Sequence, residues 1–311
     1  MNCYKNIELK KAILQEVKLP CTNTGTKFYM KRLDLIHPLI NGNKWFKMKY
    51  NLLEAEEKGF NTLLTFGGAY SNHIHATAAA GKQFGLKTIG IIRGEEHLPL
   101  NPTLQFASEY GMTLHYVSRG EYRNKHTKEF QEKLIDEFGN VYIVPEGGTN
   151  TLALKGCSGI PGLIENEYDY LCVACGTSGT FSGLAVGLEG EKLVLGFSVL
   201  KGGEFLIDQS NELIKQYNGK KYSNTQINLD YHFGGYAKIT RGLIEFINEF
   251  EKLNGIPLDP VYTGKMMYGI YDLYRNGFFK EGEAIVALHT GGLQGTAGMQ
   301  KKIKKVLEQP V

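Results

Sequence analysis

Tyr170-Leu-Cys-Val-Ala-Cys-Gly-Thr-Ser-Gly-Thr-Phe-Ser-Gly183 is an apolar run that breaks into a glycine- and hydroxyl-rich turn and resumes as a helix. The run reads as a buried strand over 168–175 and the helix as starting near Gly179. Glycines in such a turn free backbone N–H groups, hydroxyls add donors, and the helix start behind them favours an anion. No Gly-Lys-Ser/Thr follows, so this is not a Walker loop, and the G-x-G-x-x-G dinucleotide spacing is missing. Two readings stay open: a phosphate site, or a plain strand-to-helix turn.

Working outward, strand-like and helix-like stretches alternate. Strands are expected at 62–66, 88–92, 113–117 and 141–144, with helices at 71–84, 103–110 and 125–138 between them. A second series follows: strands at 168–175, 192–199, 226–231 and 284–289, with helices at 179–187, 204–217, 240–253, 264–275 and 292–306. Such alternation predicts parallel α/β units. The segment 27–32 reads as a strand joining the second unit, so the chain's beginning returns to its end. Ligands in such folds sit outside the carboxyl ends of the strands, often between domains.

Asn41-Gly-Asn-Lys-Trp-Phe-Lys-Met-Lys-Tyr50 carries a candidate reactive amine. Gly42 permits a tight bend, Asn43 is a good N-cap, and Trp45, Met48 and Leu52 form an inward stripe. Lys44 then sits at a turn-to-helix junction, where the helix dipole disfavours a second cation. If buried as well, it becomes a nucleophilic amine able to form a Schiff base; otherwise it is one solvated lysine among many. Ser71 and Asn72, in Gly67-Gly-Ala-Tyr-Ser-Asn-His73, either cap the following helix or point into a cleft as polar ligands. His73 and His75, two apart on a helix, face different ways and make no metal pair.

The 311 residues suffice for two lobes. Hydrophobic content of 42%, charged content of 22% and a net charge of +3 are those of an ordinary soluble protein. The basic run Lys301, Lys302, Lys304, Lys305 reads as a solvated helix end, not a nucleic-acid patch. No apolar run approaches a membrane span and the N-terminus lacks a signal-peptide core, so a cytoplasmic protein with no membrane partner is expected. Cys3, Cys21, Cys157, Cys172 and Cys175 are too sparse for a disulfide framework. The Cys172-Val-Ala-Cys175 pair reads as two small buried hydrophobes, with a redox pair as the alternative.

Asn41-Gly-Asn-Lys44, Gly67-Gly-Ala-Tyr-Ser-Asn72, Gly176-Thr-Ser-Gly-Thr180, Gly234-Gly-Tyr236, Asp259-Pro-Val-Tyr-Thr-Gly-Lys265 and His289-Thr-Gly-Gly292 occur in that order. Together they resemble the 1-aminocyclopropane-1-carboxylate deaminase / D-cysteine desulfhydrase family of fold type II pyridoxal-phosphate enzymes. The resemblance spans about residues 27–292. It implies a two-domain α/β fold like tryptophan synthase β, with parallel sheets in each domain, residues 1–47 and 160–311 forming the large domain and 48–159 the small one. It implies pyridoxal 5′-phosphate as cofactor, a small amino acid as substrate, and a homodimer. Lys44 would carry the cofactor, Asn72 would hold its ring hydroxyl, and Gly176, Thr177, Ser178, Gly179 and Thr180 would hold its phosphate. Ser71 would meet the substrate carboxylate or relay a proton, and Tyr236 and Tyr262 match the family's active-site tyrosines.

Two positions depart from the cyclopropane deaminase. Thr263 stands where that enzyme has a glutamate facing the pyridine nitrogen, and Thr290 where it has leucine. A carboxylate sustains a protonated ring and a strong electron sink; a threonine hydroxyl does not. Ring opening needs the stronger sink, whereas a leaving group on Cβ takes the electrons itself. The sequence therefore favours α,β-elimination, as from D-cysteine, over ring opening. A non-catalytic phosphate-ligand-binding protein is the alternative of another class.

Overall fold

The computed structural model describes residues 7–20 and 25–308; Cys3, Cys21 and the N-terminal residues read for a signal peptide lie outside the described residues. The elements run β1 (Leu14–Glu16), β2 (Lys27–Lys31), α1 (Asn43–Glu57), β3 (Thr62–Gly67), α2 (Asn72–Phe84), β4 (Lys87–Arg93), α3 (Pro102–Glu109) and β5 (Met112–Val117). They continue with α4 (Arg119–Tyr122), α5 (Lys128–Phe138), β6 (Tyr142–Val144), α6 (Thr151–Cys157), β7 (Tyr170–Cys175), α7 (Gly179–Leu188), β8 (Leu193–Ser198) and α8 (Phe205–Asn218). The last are β9 (Thr225–Asn228), α9 (Arg241–Asn254), α10 (Thr263–Arg275), β10 (Ala284–Leu288) and α11 (Gln300–Glu308).

Two sheets result. One has four parallel strands in the order β5-β4-β3-β6; the other has six in the order β1-β2-β10-β7-β8-β9. The segment expected to join the second unit does so: β2 lies parallel to β10, with Lys27 opposite Ala284 and Lys31 opposite Leu288. The beginning of the chain thereby closes onto its end. One strand departs from the all-parallel expectation: β1 runs antiparallel to β2, as strands joined by a short connection do.

Parallel strands are covered on both faces, and β7 shows why its sequence is a continuous apolar run. Leu171 and Val173 pack toward the α1–α6–α7 layer, while Cys172 and Ala174 pack toward α9 and α10. Cys172 and Cys175 are free and buried on this strand. Burial pushes the Cys175 thiol up to about 12 and raises Cys172 as well, the behaviour of small hydrophobes rather than a redox pair. Trp45, Met48 and Leu52 are buried as their spacing predicts. Behind them α1 and α6 approach so closely that a Cβ on Gly156 would lie 1.8 Å from the carbonyl oxygen of Phe46.

Three stretches differ from expectation. The expected helix over 292–306 is a 3₁₀ segment, Leu293–Met299, before α11. Gly295 and Gly298 in that segment are poor α-formers. The strand expected over 226–231 stops at Asn228, whose side chain accepts from the Asp230 N–H at 2.9 Å and turns the chain. The short helix α6 was not anticipated; Asn150 caps it through the Ala153 N–H. Among the described residues no helix is long and apolar enough to cross a membrane.

Candidate active site

The carboxyl ends of β3, β4 and β7 open onto one cavity of about 940 Å³. Lys44, Ser71, Asn72, Gly176, Thr177, Thr180, Tyr236, Tyr262 and Thr290 all line it, from segments far apart in sequence.

Lys44 sits in the first turn of α1. Gly42 starts that helix at φ 62°, and a Cβ there would lie 1.9 Å from the Thr290 carbonyl oxygen, so only glycine fits. This contact locks the Lys44 turn against the loop after β10. Asn43, expected as the N-cap, is instead the first helical residue and makes no cap bond. Its amide is drawn inward: Nδ2 donates to Thr180 Oγ1 at 2.9 Å, and Oδ1 accepts from Lys44 Nζ at 2.8 Å. Burial lowers the Lys44 amine to about 8. Near neutral pH an appreciable fraction of it is a free-base nucleophile.

A second amine, Lys47, was missed because a helical lysine ordinarily faces water. It is only 2% exposed. Its Nζ donates to Thr149 Oγ1 at 2.8 Å and Thr177 Oγ1 at 3.2 Å. Burial first, and the Lys44 charge second, lower it to about 7. No carboxylate pairs with it among the described residues. It stands beside the Gly176–Thr180 loop, where α7 begins with no side-chain cap. A cation, two hydroxyls and uncapped N–H groups make a receptor for an oxyanion. The loop glycines are required by packing, since a Cβ on Gly176 would lie 2.8 Å from the Tyr262 ring and one on Gly179 3.1 Å from Lys47 Nζ. Ser178 turns away; its hydroxyl donates to Gln209 Oε1 at 2.8 Å.

Ser71 satisfies both of its readings. Its Oγ caps α2 by accepting from the N–H groups of His73 and Ile74, at 3.2 and 3.3 Å, while the residue lines the cavity with its hydroxyl proton uncommitted. Asn72 Oδ1 accepts from Gln294 Nε2 at 3.1 Å, which fixes the amide orientation. His73 and His75 point apart, as their spacing predicts. His75 stacks on Phe106 at 3.8 Å, and His73 Nε2 meets Thr65 Oγ1 at 2.8 Å. Thr65 donates its own proton to Val144 O, so His73 carries hydrogen on Nε2, and burial keeps the ring neutral.

Tyr262 and Tyr236 stand edge to face, 6.1 Å between ring centres. Desolvation raises both phenols, so each keeps its proton and can donate a hydrogen bond. The loop carrying Tyr236 has positive φ at Phe233, Gly234, Gly235 and Ala237. Lys265 holds it by donating to the carbonyls of His232 and Gly235, each at 2.8 Å.

The two threonines part company. Thr290 lines the cavity, whereas Thr263 is fully buried behind its wall. Thr263 Oγ1 donates to Asp259 Oδ2 at 2.7 Å. Asp259 also accepts from the N–H groups of Val261, Tyr262 and Thr263, so its carboxylate is filled by its own turn and starts α10. The expectation that Thr263 faces a ring nitrogen therefore meets a hydroxyl whose proton is already committed.

A buried amine, an uncapped glycine–hydroxyl loop and two tyrosines lining one cavity are the parts a pyridoxal-phosphate dependent enzyme needs. The chain matches that family over residues 13–291 and belongs to it. It is 35% identical over 293 residues to a Pyrococcus horikoshii protein provisionally named 1-aminocyclopropane-1-carboxylate deaminase, covering 91% of this chain and 90% of that one. It is 32% identical over 300 residues to the Arabidopsis thaliana bifunctional D-cysteine desulfhydrase/1-aminocyclopropane-1-carboxylate deaminase, covering 89% of this chain and 75% of that one. A solved structure described as the ACC deaminase homologue superposes with TM-score 0.85 at 32% identity, over 97% of this chain and 96% of that one. Entamoeba histolytica cysteine synthase, 16% identical with TM-score 0.68 over all of this chain and 96% of that one, shares the fold. The fold is fold type II and the cofactor is pyridoxal 5′-phosphate. The residues present fit it: an oxyanion receptor at Lys47 and Thr177, and a buried amine lowered to about 8 at Lys44.

Proposed function

We propose that this enzyme performs α,β-elimination on a small amino acid such as D-cysteine, releasing a 2-oxo acid and ammonia. The observation that carries this reading is the placement of carboxylates. Glu146 is the one carboxylate lining the cavity among the described residues, and it is engaged by Tyr122 at 2.7 Å and Lys125 at 3.3 Å. Asp259 lies behind the wall with its acceptors filled. Among the described residues no free carboxylate lines the cavity to hold a pyridine ring protonated, which would weaken electron withdrawal from Cα. A leaving group on Cβ relieves that demand.

When bound, the cofactor supplies the electron withdrawal that acidifies the substrate Cα–H. The Lys44 amine would hold it covalently, and the same amine would take up the Cα proton. Lys47, Thr177, Thr180 and the Gly176 and Gly179 backbone hold its phosphate, with Ser178 shaping the loop through Gln209. Asn72, oriented by Gln294, holds the ring hydroxyl, and Thr290 borders the ring. Ser71 donates its free proton to the substrate carboxylate at the α2 start. Tyr236 and Tyr262, kept protonated by desolvation, donate hydrogen bonds to the substrate. The resemblance alone supports a homodimer as the working form.

Ring opening of 1-aminocyclopropane-1-carboxylate is the second reading, favoured by the names of the Pyrococcus and Arabidopsis relatives. Turnover assays with D-cysteine, β-chloroalanine and the cyclopropane amino acid separate the two. Pyruvate from the first two at more than tenfold the rate of 2-oxobutanoate from the third supports elimination. The reverse order overturns it.

A further inference from the structure

The outer wall of the cavity is basic beyond what a small zwitterion requires. Arg93 ends β4; Arg119 and Arg123 lie at α4, directly after β5; all three line the cavity. Their neighbours do not neutralise them. Glu146 is shared between Tyr122 and Lys125. Glu121 serves the Ser118 cap and lies 3.9 Å from Lys133. Among the described residues, Arg93, Arg119 and Arg123 have no carboxylate within ion-pair distance.

Arg119 and Arg123 are four apart across one helical turn, an arrangement in which like charges repel. The Arg93 guanidinium stands 5.7 Å from the Tyr122 ring centre. Its Nη2 comes within 3.5 Å of where a Gly68 Cβ would be, beside the turn that leads to Ser71. Arg93 therefore borders the Ser71 turn, and Arg119 and Arg123 share the wall of the same cavity. Three uncompensated arginines around one concavity focus potential for an anion, and planar guanidinium groups match oxyanions in particular. D-cysteine offers a single carboxylate, and the α2 start already provides for it.

We infer that the substrate carries a second oxyanion, a phosphate, sulfonate or carboxylate on the group that leaves Cβ, and that Arg93, Arg119 and Arg123 receive it. This rests on the elimination reading above. The Cα–H bond breaks with its proton to Lys44. The Cβ–X bond breaks with its electron pair leaving on X. Water then replaces the nitrogen, giving pyruvate, ammonia and the free oxyanion, with no external oxidant or reductant.

The test uses the cofactor-loaded enzyme and four substrates, each in both enantiomers: O-phosphoserine, 3-sulfoalanine, O-succinylserine and β-chloroalanine. The inference expects at least one oxyanionic substrate to exceed β-chloroalanine tenfold in kcat/KM. That advantage should shrink as salt rises, and its ratio to β-chloroalanine should drop at least tenfold in the Arg119→Gln/Arg123→Gln double variant. The identity of the preferred substrate tells phosphate, sulfonate and carboxylate apart. Preference for β-chloroalanine over all three, or a double variant that lowers all four equally, overturns it. If no compound is turned over, the elimination reading fails, and equilibrium binding still decides the inference. O-phosphoserine binding at least tenfold more tightly than serine supports the anion subsite, and equal affinity refutes it.

Discussion

Replacing Lys47 with methionine should stabilise the protein without its cofactor and weaken its hold on the cofactor. The Lys47 amine is 2% exposed, and burial lowers it from 10.5 to about 7. Between pH 7 and 10.5 the unfolded chain binds more protons at this site than the folded one. Folded stability thus rises with pH through that window and is lowest below it. At about 1.4 kcal/mol per pH unit, the penalty below pH 7 is on the order of 5 kcal/mol, falling to about 2 kcal/mol at pH 9. Methionine matches the length of the stem without the charge. The two hydroxyls it strands, Thr149 and Thr177, still bond each other at 2.9 Å. The cofactor-free Lys47→Met variant should therefore exceed the unmutated protein by about 2–5 kcal/mol at pH 6 in urea unfolding, with the advantage shrinking by about 3 kcal/mol at pH 9. Loss of a charge-assisted bond to the phosphate should loosen pyridoxal phosphate roughly ten- to hundredfold. A variant less stable than the unmutated protein at pH 6, an advantage that grows with pH, or unchanged cofactor affinity would refute the reasoning.

Gly156→Ala should cost about 3 kcal/mol or more, because its Cβ would sit 1.8 Å from the Phe46 carbonyl and must push α6 off α1; thermal unfolding reads the loss. Asn43→Ala removes the acceptor on Lys44 Nζ, which favours the ammonium form. The pH profile for modification of Lys44 should shift to lower pH by roughly one unit, a shift that a purely structural loss would not produce.

Much of this architecture is legible from local patterns. The break from apolar run to glycine–hydroxyl turn at Cys175–Gly176 marks β7, its loop and α7, because a doubly covered parallel strand leaves no alternation to hide it. Lys44 stands out because a glycine must precede it. What stayed hidden depends on partners distant in sequence. Asn43 looks like a cap, since capping preference is local, yet Thr180 takes its amide from 137 residues away. Lys47 follows the ordinary pattern of an exposed helical lysine until α7 and Thr149 close over it. Thr263 gave no hint that Asp259 claims its proton, nor Lys265 that it holds the Tyr236 loop, because both roles depend on how α10 meets two turns. The basic wall is scattered over Arg93, Arg119 and Arg123 and becomes one surface only when β4 and β5 lie side by side.

The most direct measurement is borohydride reduction of the pyridoxal-phosphate-loaded enzyme followed by peptide mapping. The label should fall on Lys44, with Lys44→Ala folded but without the visible absorption of the loaded form. A label on Lys47 or Lys49, or a coloured Lys44→Ala protein that still reduces to a labelled peptide, would contradict the account.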